Sequence, residues 1–177
     1  YKEKTGINNK IRIGWIGSPS TQAYLSIVDD AIFELQKKFN VDLVLIGVND
    51  RLKLKSKFTS IIWSEENEII NLSTFDIGIM PLFESNFEKG KCGYKIIQYF
   101  ACKIPVVASP VGVNCTLVEK NNGFLCKTTQ EWSHSLEELI QNKELRDSLG
   151  HSGYKKVEQK FTYQSQAKNI IKVINSL

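Results

Sequence analysis

Short apolar runs recur along this chain, each separated from the next by a turn signal and a segment of helical periodicity. Ile11-Arg12-Ile13-Gly14-Trp15-Ile16 alternates as a strand does, and Val41-Asp42-Leu43-Val44-Leu45-Ile46-Gly47 is nearly continuous in apolar residues, as buried parallel strands are. Further runs lie at Ser60–Trp63, Phe75–Pro81, Pro105–Ser109 (closed by Pro110) and Gly123–Cys126. Between the first two, Tyr24, Val28, Ala31, Ile32, Leu35 and Phe39 line one helical face. Ser64 reads as an N-cap, with Glu65 and Glu66 in the first turn of a helix running to about Leu72. A loop over Leu82–Lys91 precedes a helix at about Gly93–Cys102, and the chain beyond Cys126 is helical with breaks near Asn142 and Phe161-Thr162. Strands alternating with helices imply βαβ units, so the expected fold is α/β: a doubly wound, Rossmann-like parallel sheet of about six strands.

Such sheets bind ligands outside the carboxyl ends of their strands. Here those ends are the Gly17 loop, Trp63-Ser64, Pro81–Lys91 and Ser109–Asn114. Residues 1–10 are polar and read as a linker, with 11–177 as one domain. The longest apolar runs fall far short of the roughly 20 residues that span a bilayer. The chain begins at Tyr1, not Met, with no apolar stretch behind it, so this stretch does not read as a signal peptide, and a piece cut from a larger protein, which would hide any upstream targeting segment, is expected. Its net charge is +4, with basic residues scattered and not striped with aromatics, which argues against nucleic-acid binding. The basic excess suits an anionic small ligand or an acidic membrane surface. Four cysteines without C-x-x-C spacing, and only two His, do not make a zinc site; reduced thiols in a cytosolic protein are expected.

Two stretches point to an anion. In Gly17-Ser18-Pro19-Ser20-Thr21 a glycine lets the backbone approach a phosphate, and hydroxyls and helix N–H groups can bind it, although neither G-x-G-x-x-G nor G-K-[ST] is present. In Gly90-Lys91-Cys92-Gly93-Tyr94-Lys95-Ile96-Ile97-Gln98-Tyr99 two lysines bracket a helix start, where cations are disfavoured, and stand about one turn apart, where they repel. A diphosphate placed there would satisfy both lysines and the free N–H groups. Gln98 lies one turn beyond Lys95, facing a cleft or the core, and Ser109-Pro110-Val111-Gly112-Val113-Asn114 makes a tight loop at the same edge. Glu65, Asp76, Glu84 and Glu88 have no spacing that demands acid–base work, and Asp76 is expected to be structural.

Phe75-Asp76-Ile77-Gly78-Ile79-Met80-Pro81, then Gly93, then Gln98-Tyr99-Phe100-Ala101-Cys102-Lys103-Ile104-Pro105-Val106-Val107-Ala108-Ser109, with Asn122-Gly123-Phe124-Leu125 beyond, resembles the C-terminal domain of the GT-B-fold group 1 family of retaining glycosyltransferases. The resemblance covers Ile11 to Phe161. It implies a nucleoside-diphosphate sugar donor (UDP-, GDP- or ADP-sugar) on this domain, an N-terminal domain of the same chain for the acceptor, and no metal or other cofactor. It also implies a bacterial cytoplasmic enzyme, with association at the inner membrane face left open, and an isolated domain without activity. The two family carboxylates, the second of which commonly binds the donor ribose, are replaced by Gly90 and Gln98, and the loop at Gly17 lacks the family's basic residues. Either the domain is degenerate, or Lys91 and Lys95 take over the diphosphate; lost bases at one loop and gained bases at another favour the second. A nucleotide-sugar epimerase and a non-catalytic nucleotide-binding module are the other classes. The expected donor-binding residues are Gly17, Ser18, Trp63, Ser64, Lys91, Cys92, Gly93, Tyr94, Lys95 and Gln98, with no catalytic residue assigned.

Overall fold

Residues 10–176 are described by the computed structural model, so residues 1–9 of the expected linker lie outside the described residues. Six parallel strands, β1 (Ile11–Ile16), β2 (Val41–Ile46), β3 (Phe58–Ile61), β4 (Ile77–Met80), β5 (Val106–Ala108) and β6 (Gly123–Leu125), form one sheet in the order β3-β2-β1-β4-β5-β6. This is the doubly wound arrangement expected, and its order reverses between β1 and β4.

The strands divide their side chains between two cores by period two. Ile13, Trp15, Leu43, Leu45, Ile77, Ile79 and Val107 enter one core, together with α1 (Asp29–Lys38) and α6 (Thr129–Gln141), through Leu35, Trp132, Leu136 and others. Val44, Ile46, Met80, Val106 and Ala108 enter the other. There they meet Leu72 of α2 (Glu68–Leu72), Ile96, Tyr99 and Phe100 of α4 (Tyr94–Ala101), and Val157 of α7 (Lys143–Lys160). Burial on both faces explains why β2 and β4 read as continuous apolar runs. Two short helices, α3 (Asn86–Lys89) and α5 (Asn114–Leu117), and a last helix, α8 (Tyr163–Ile174), complete the element order.

Several boundaries differ from the sequence expectation. The segment at Tyr24 begins as a 3₁₀ turn over Gln22–Ile27 and becomes α-helical only at Asp29, although Tyr24, Val28, Ala31, Ile32 and Leu35 are all buried as the face predicts. The third strand ends at Ile61, not Trp63. Its partner β2 turns away at Gly47, whose N–H takes the Ile61 carbonyl at 2.9 Å, so Ile62 and Trp63 run past the sheet. Ser64 does not cap α2. Its hydroxyl accepts from Asn67 Nδ2 at 3.1 Å, tight turns occupy Ser64–Glu68, and the cap position is Asn67. Within the expected loop Leu82–Lys91, Ser85 caps α3 by accepting from Phe87 N–H.

At the point of reversal, β1 and β4 pair only at Ile13↔Ile77 and Gly14↔Gly78. Neither glycine has a side chain, so aromatic rings lie against the backbone: a Cβ would fall 1.9 Å from Phe75 at Gly14 and 2.6 Å from Tyr99 at Gly78. Beyond these pairs the Tyr99 hydroxyl takes over from the ladder. It accepts from Ile16 N–H at 3.2 Å and donates to the Ile79 carbonyl at 3.3 Å. Burial holds this phenol well above its ordinary pKa, so it stays a neutral donor and acceptor. Tyr99→Phe would keep the ring packing but orphan two buried backbone groups. The expected outcome is a loss of about 1–3 kcal/mol in urea unfolding, with the far-ultraviolet dichroism of the native state unchanged.

Candidate functional site

The carboxyl ends of β1, β2 and β3 converge on two glycines. Gly17, directly after β1, donates its N–H to the Ile46 carbonyl at 3.0 Å. Gly47, directly after β2, turns in the left-handed region at φ 81°, and a Cβ there would lie 2.2 Å from the Gly17 carbonyl oxygen. The same Cβ would lie 3.5 Å from Cβ of Trp63, which places the end of β3 beside both glycines.

The helix α4 approaches this edge with its N-terminus. Its cap residue Gly93 has φ 69° and supplies no side-chain cap; its carbonyl accepts from the Ile96 N–H at 2.9 Å, and the N–H groups of Tyr94 and Lys95 precede that bond. From the first turn Lys95 reaches over the crevice: a Cβ on Gly17 would sit 2.9 Å from its Nζ, and Nζ lies 4.7 Å from the ring centre of buried Trp15. Among the described residues Lys95 makes no ion pair. Burial, reinforced by the charge of Lys91, lowers its pKa from 10.5 to about 8. It therefore remains mostly protonated at neutral pH, and its indole neighbour is its only cation–π partner among the described residues.

The two lysines repel as expected, but their surroundings differ. Lys91 Nζ stands 4.9 Å from the Phe87 ring centre and 5.3 Å from that of Tyr24. Its charge is felt by Glu88, a buried carboxylate that accepts from the Tyr24 hydroxyl at 2.5 Å and from the Ser85 hydroxyl. Those hydrogen bonds, Ser85's first, hold the Glu88 carboxyl below its ordinary pKa, with Lys91 adding to the effect. Burial and Glu88 push Tyr24 up to about 12. Lys91 thus has an anion nearby, and Lys95 is the cation left unbalanced.

One turn along α4, buried Gln98 donates through Nε2 to Glu68 Oε1, and Trp63 Nε1 donates to Glu68 Oε2 at 2.5 Å. Lys95, Gly17, Gly47, Trp63, Glu68 and Gln98 therefore form a ring that runs from α4 across the ends of β1, β2 and β3 to α2 and back. Of the expected site residues, the ring gathers Gly17, Trp63, Lys95 and Gln98. Gly93 is buried against Val113, which precedes α5, and Leu117 at its end. Ser18 is exposed, and its N–H is spent on Thr21 Oγ1 at 3.3 Å. Cys92 and Tyr94 are exposed at the mouth, and Ser64 is occupied by Asn67. Asn114 at the start of α5 is buried with Oδ1 unpartnered, 3.8 Å from where a Gly93 Cβ would be. Sequence reasoning missed Trp15, Gly47 and Glu68, which carry no local signal. It also missed a role for Glu88, for which Ser85-Asn86-Phe87-Glu88 was a readable capping-box pattern. Among the described residues no group of three or more His, Cys, Asp or Glu could hold a metal, and no helix is long and apolar enough to cross a membrane.

The doubly wound fold and its sequence are matched in known proteins. The family model for group 1 glycosyl transferases matches residues 10–142. The chain belongs to this family. It is 24% identical over 172 residues to the capsular polysaccharide biosynthesis glycosyltransferase CapM of Staphylococcus aureus, covering 89% of this chain and 44% of that protein. It is 29% identical over 124 residues to a probable sucrose-phosphate synthase of Thermosipho melanesiensis, of which it covers 28%. The chain thus spans less than half the length of these curated relatives. Anabaena HepE in complex with UDP shares the fold at a TM-score of 0.78 and 19% identity, over 96% of this chain and 50% of that one. The C-terminal domain of the group 1 protein LpcC from Francisella tularensis superposes at 0.64 with 24% identity, over 88% and 87%.

The partly buried Lys95 of this group 1 domain has a signature in stability. Below pH 8 it is protonated in both the folded and unfolded chain, and folding carries the full cost of burying the charge. Between about 8 and 10.5 the unfolded chain holds more protons, so this contribution to stability rises with pH. Lys95→Met should therefore stabilise the ligand-free protein by about 1–3 kcal/mol at pH 7, and the gain should shrink as denaturant melts are repeated from pH 8 to 10.5.

Proposed function

We propose that this chain is the donor-binding domain of a retaining glycosyltransferase, which holds a nucleoside-diphosphate sugar with its diphosphate between Lys95, Gly17 and the N-terminus of α4. The observation that carries this reading is the Lys95 ammonium, desolvated, repelled by Lys91 and without a counter-carboxylate, at the crevice where the strand order reverses. A cation so placed lowers the stability of the empty domain and is repaid by an anion. The UDP bound to the similarly folded HepE agrees with that choice of ligand.

The chemistry follows from charge. As the glycosidic bond to the diphosphate breaks, negative charge grows on the leaving oxygen. A partly desolvated cation and preorganised N–H groups stabilise that charge more in the transition state than in the ground state. Lys91 adds its field from one turn away, tempered by Glu88. The acceptor belongs to an N-terminal domain of the full protein, which fits the 44% share of CapM that this chain spans. The domain by itself then binds donor nucleotide without transferring sugar. The net charge of +4 suits work beside an acidic membrane face at the cytoplasmic side.

Thermal-shift and calorimetric titration of the chain with UDP, GDP and ADP tests the reading. One of the three should bind. Lys95→Ala should weaken it about tenfold or more, and more than Lys91→Ala does. Because a bound anion raises the lysine's pKa, affinity should be flat below pH 8 and fall above it. A Lys91→Ala, Lys95→Ala double variant that binds as tightly as the parent would sink the assignment.

A further inference from the structure

The carboxylate of Glu68 has no task in the reading so far. It stands at the first position of α2, partly exposed, and among the described residues it makes no ion pair. Two neutral donors from other elements fix it: the Gln98 amide on Oε1 and the Trp63 indole on Oε2. Each carboxylate oxygen offers about two acceptor sites. One site on each oxygen is thus filled by protein, and one on each is left open.

Its position relative to Lys95 narrows what those sites meet. Gln98, which grips Glu68, follows Lys95 by three residues on α4, an axial rise of about 4.5 Å. A carboxylate held that close to a diphosphate site would repel the phosphates themselves. It suits a neutral group attached to them that carries hydroxyl donors. Two adjacent hydroxyls match two open sites on two oxygens, and a hydrogen bond to a carboxylate is among the stronger kinds. On the far side Trp63 is 48% exposed, with its N–H already committed to Glu68.

Building on the donor-domain reading, we infer that Glu68 binds the ribose 2′- and 3′-hydroxyls of the nucleotide, with Gln98 and Trp63 as the residues that position it. An amide at position 98 then serves as a donor that holds a carboxylate supplied by a different helix. Discrimination for a ribonucleotide resides in α2.

The test compares the ribonucleoside diphosphate that binds best among UDP, GDP and ADP with its 2′-deoxy counterpart, by calorimetric titration of the 177-residue chain. The parent should prefer the ribonucleotide about tenfold. Glu68→Gln keeps the shape but removes the charge, and should weaken the ribonucleotide while leaving the deoxy form nearly unchanged, so that the preference falls toward one. A merely structural role for Glu68 would weaken both forms alike and leave the ratio intact, which overturns the inference. The parent alone also decides: equal affinity for the two forms overturns it even if the variant fails to fold. If none of the three diphosphates binds, the donor-domain reading falls first and this inference with it.

Discussion

The hydroxyl of Tyr99 stands where the sheet changes direction, and the arrangement of the crevice follows from it. After two paired residues β1 and β4 stop pairing, and a single phenol bridges Ile16 N–H to the Ile79 carbonyl. The bond ties α4 to the sheet, with the Tyr99 ring packed closely against Gly78. From that anchor the helix presents Lys95 to the end of β1 and Gln98 to α2. A side chain on Gly14 or Gly78 would lift Phe75 or Tyr99 off the sheet, and the functional end of the helix would move with it.

The crevice is costly to the empty protein. Lys95 is desolvated and faces a like charge, while Lys91 has Glu88 within its field. The two lysines have unequal surroundings: Lys95 lacks a carboxylate partner among the described residues, and Lys91 adds to the potential around it. The Glu88 site shows how that potential is moderated, since Tyr24 and Ser85 keep its carboxylate charged inside the protein. Local costs of this kind collect where a protein binds something, because the ligand supplies the missing partner.

Most of the frame was legible because burial on two faces writes itself into β1, β2 and β4 as dense apolar runs, and period two sorts them into two cores. The placement of two lysines at a helix start, where the backbone dipole disfavours them, was legible too, and the structure sets Lys95 against the end of β1. Where reading from sequence fell short, the cause was an interaction at long range. The end of β3 is set by Gly47 turning out of the neighbouring strand, which no pattern within Ser60–Trp63 contains. Glu68 meets Gln98 across thirty positions, so nothing near Gln98 announces that its amide holds a carboxylate. The different fates of Lys91 and Lys95 depend on Trp15 and Glu88, brought in by separate elements.

The central claim is that an anionic diphosphate completes the charge of Lys95. Carbon-13 chemical shifts of the Lys95 side chain, followed against pH without and with the best-binding nucleoside diphosphate, test it most directly. The account predicts a midpoint near 8 in the free domain, and a midpoint well above it in the complex. A free midpoint at the ordinary 10.5, or one that the bound nucleotide leaves in place, would contradict it.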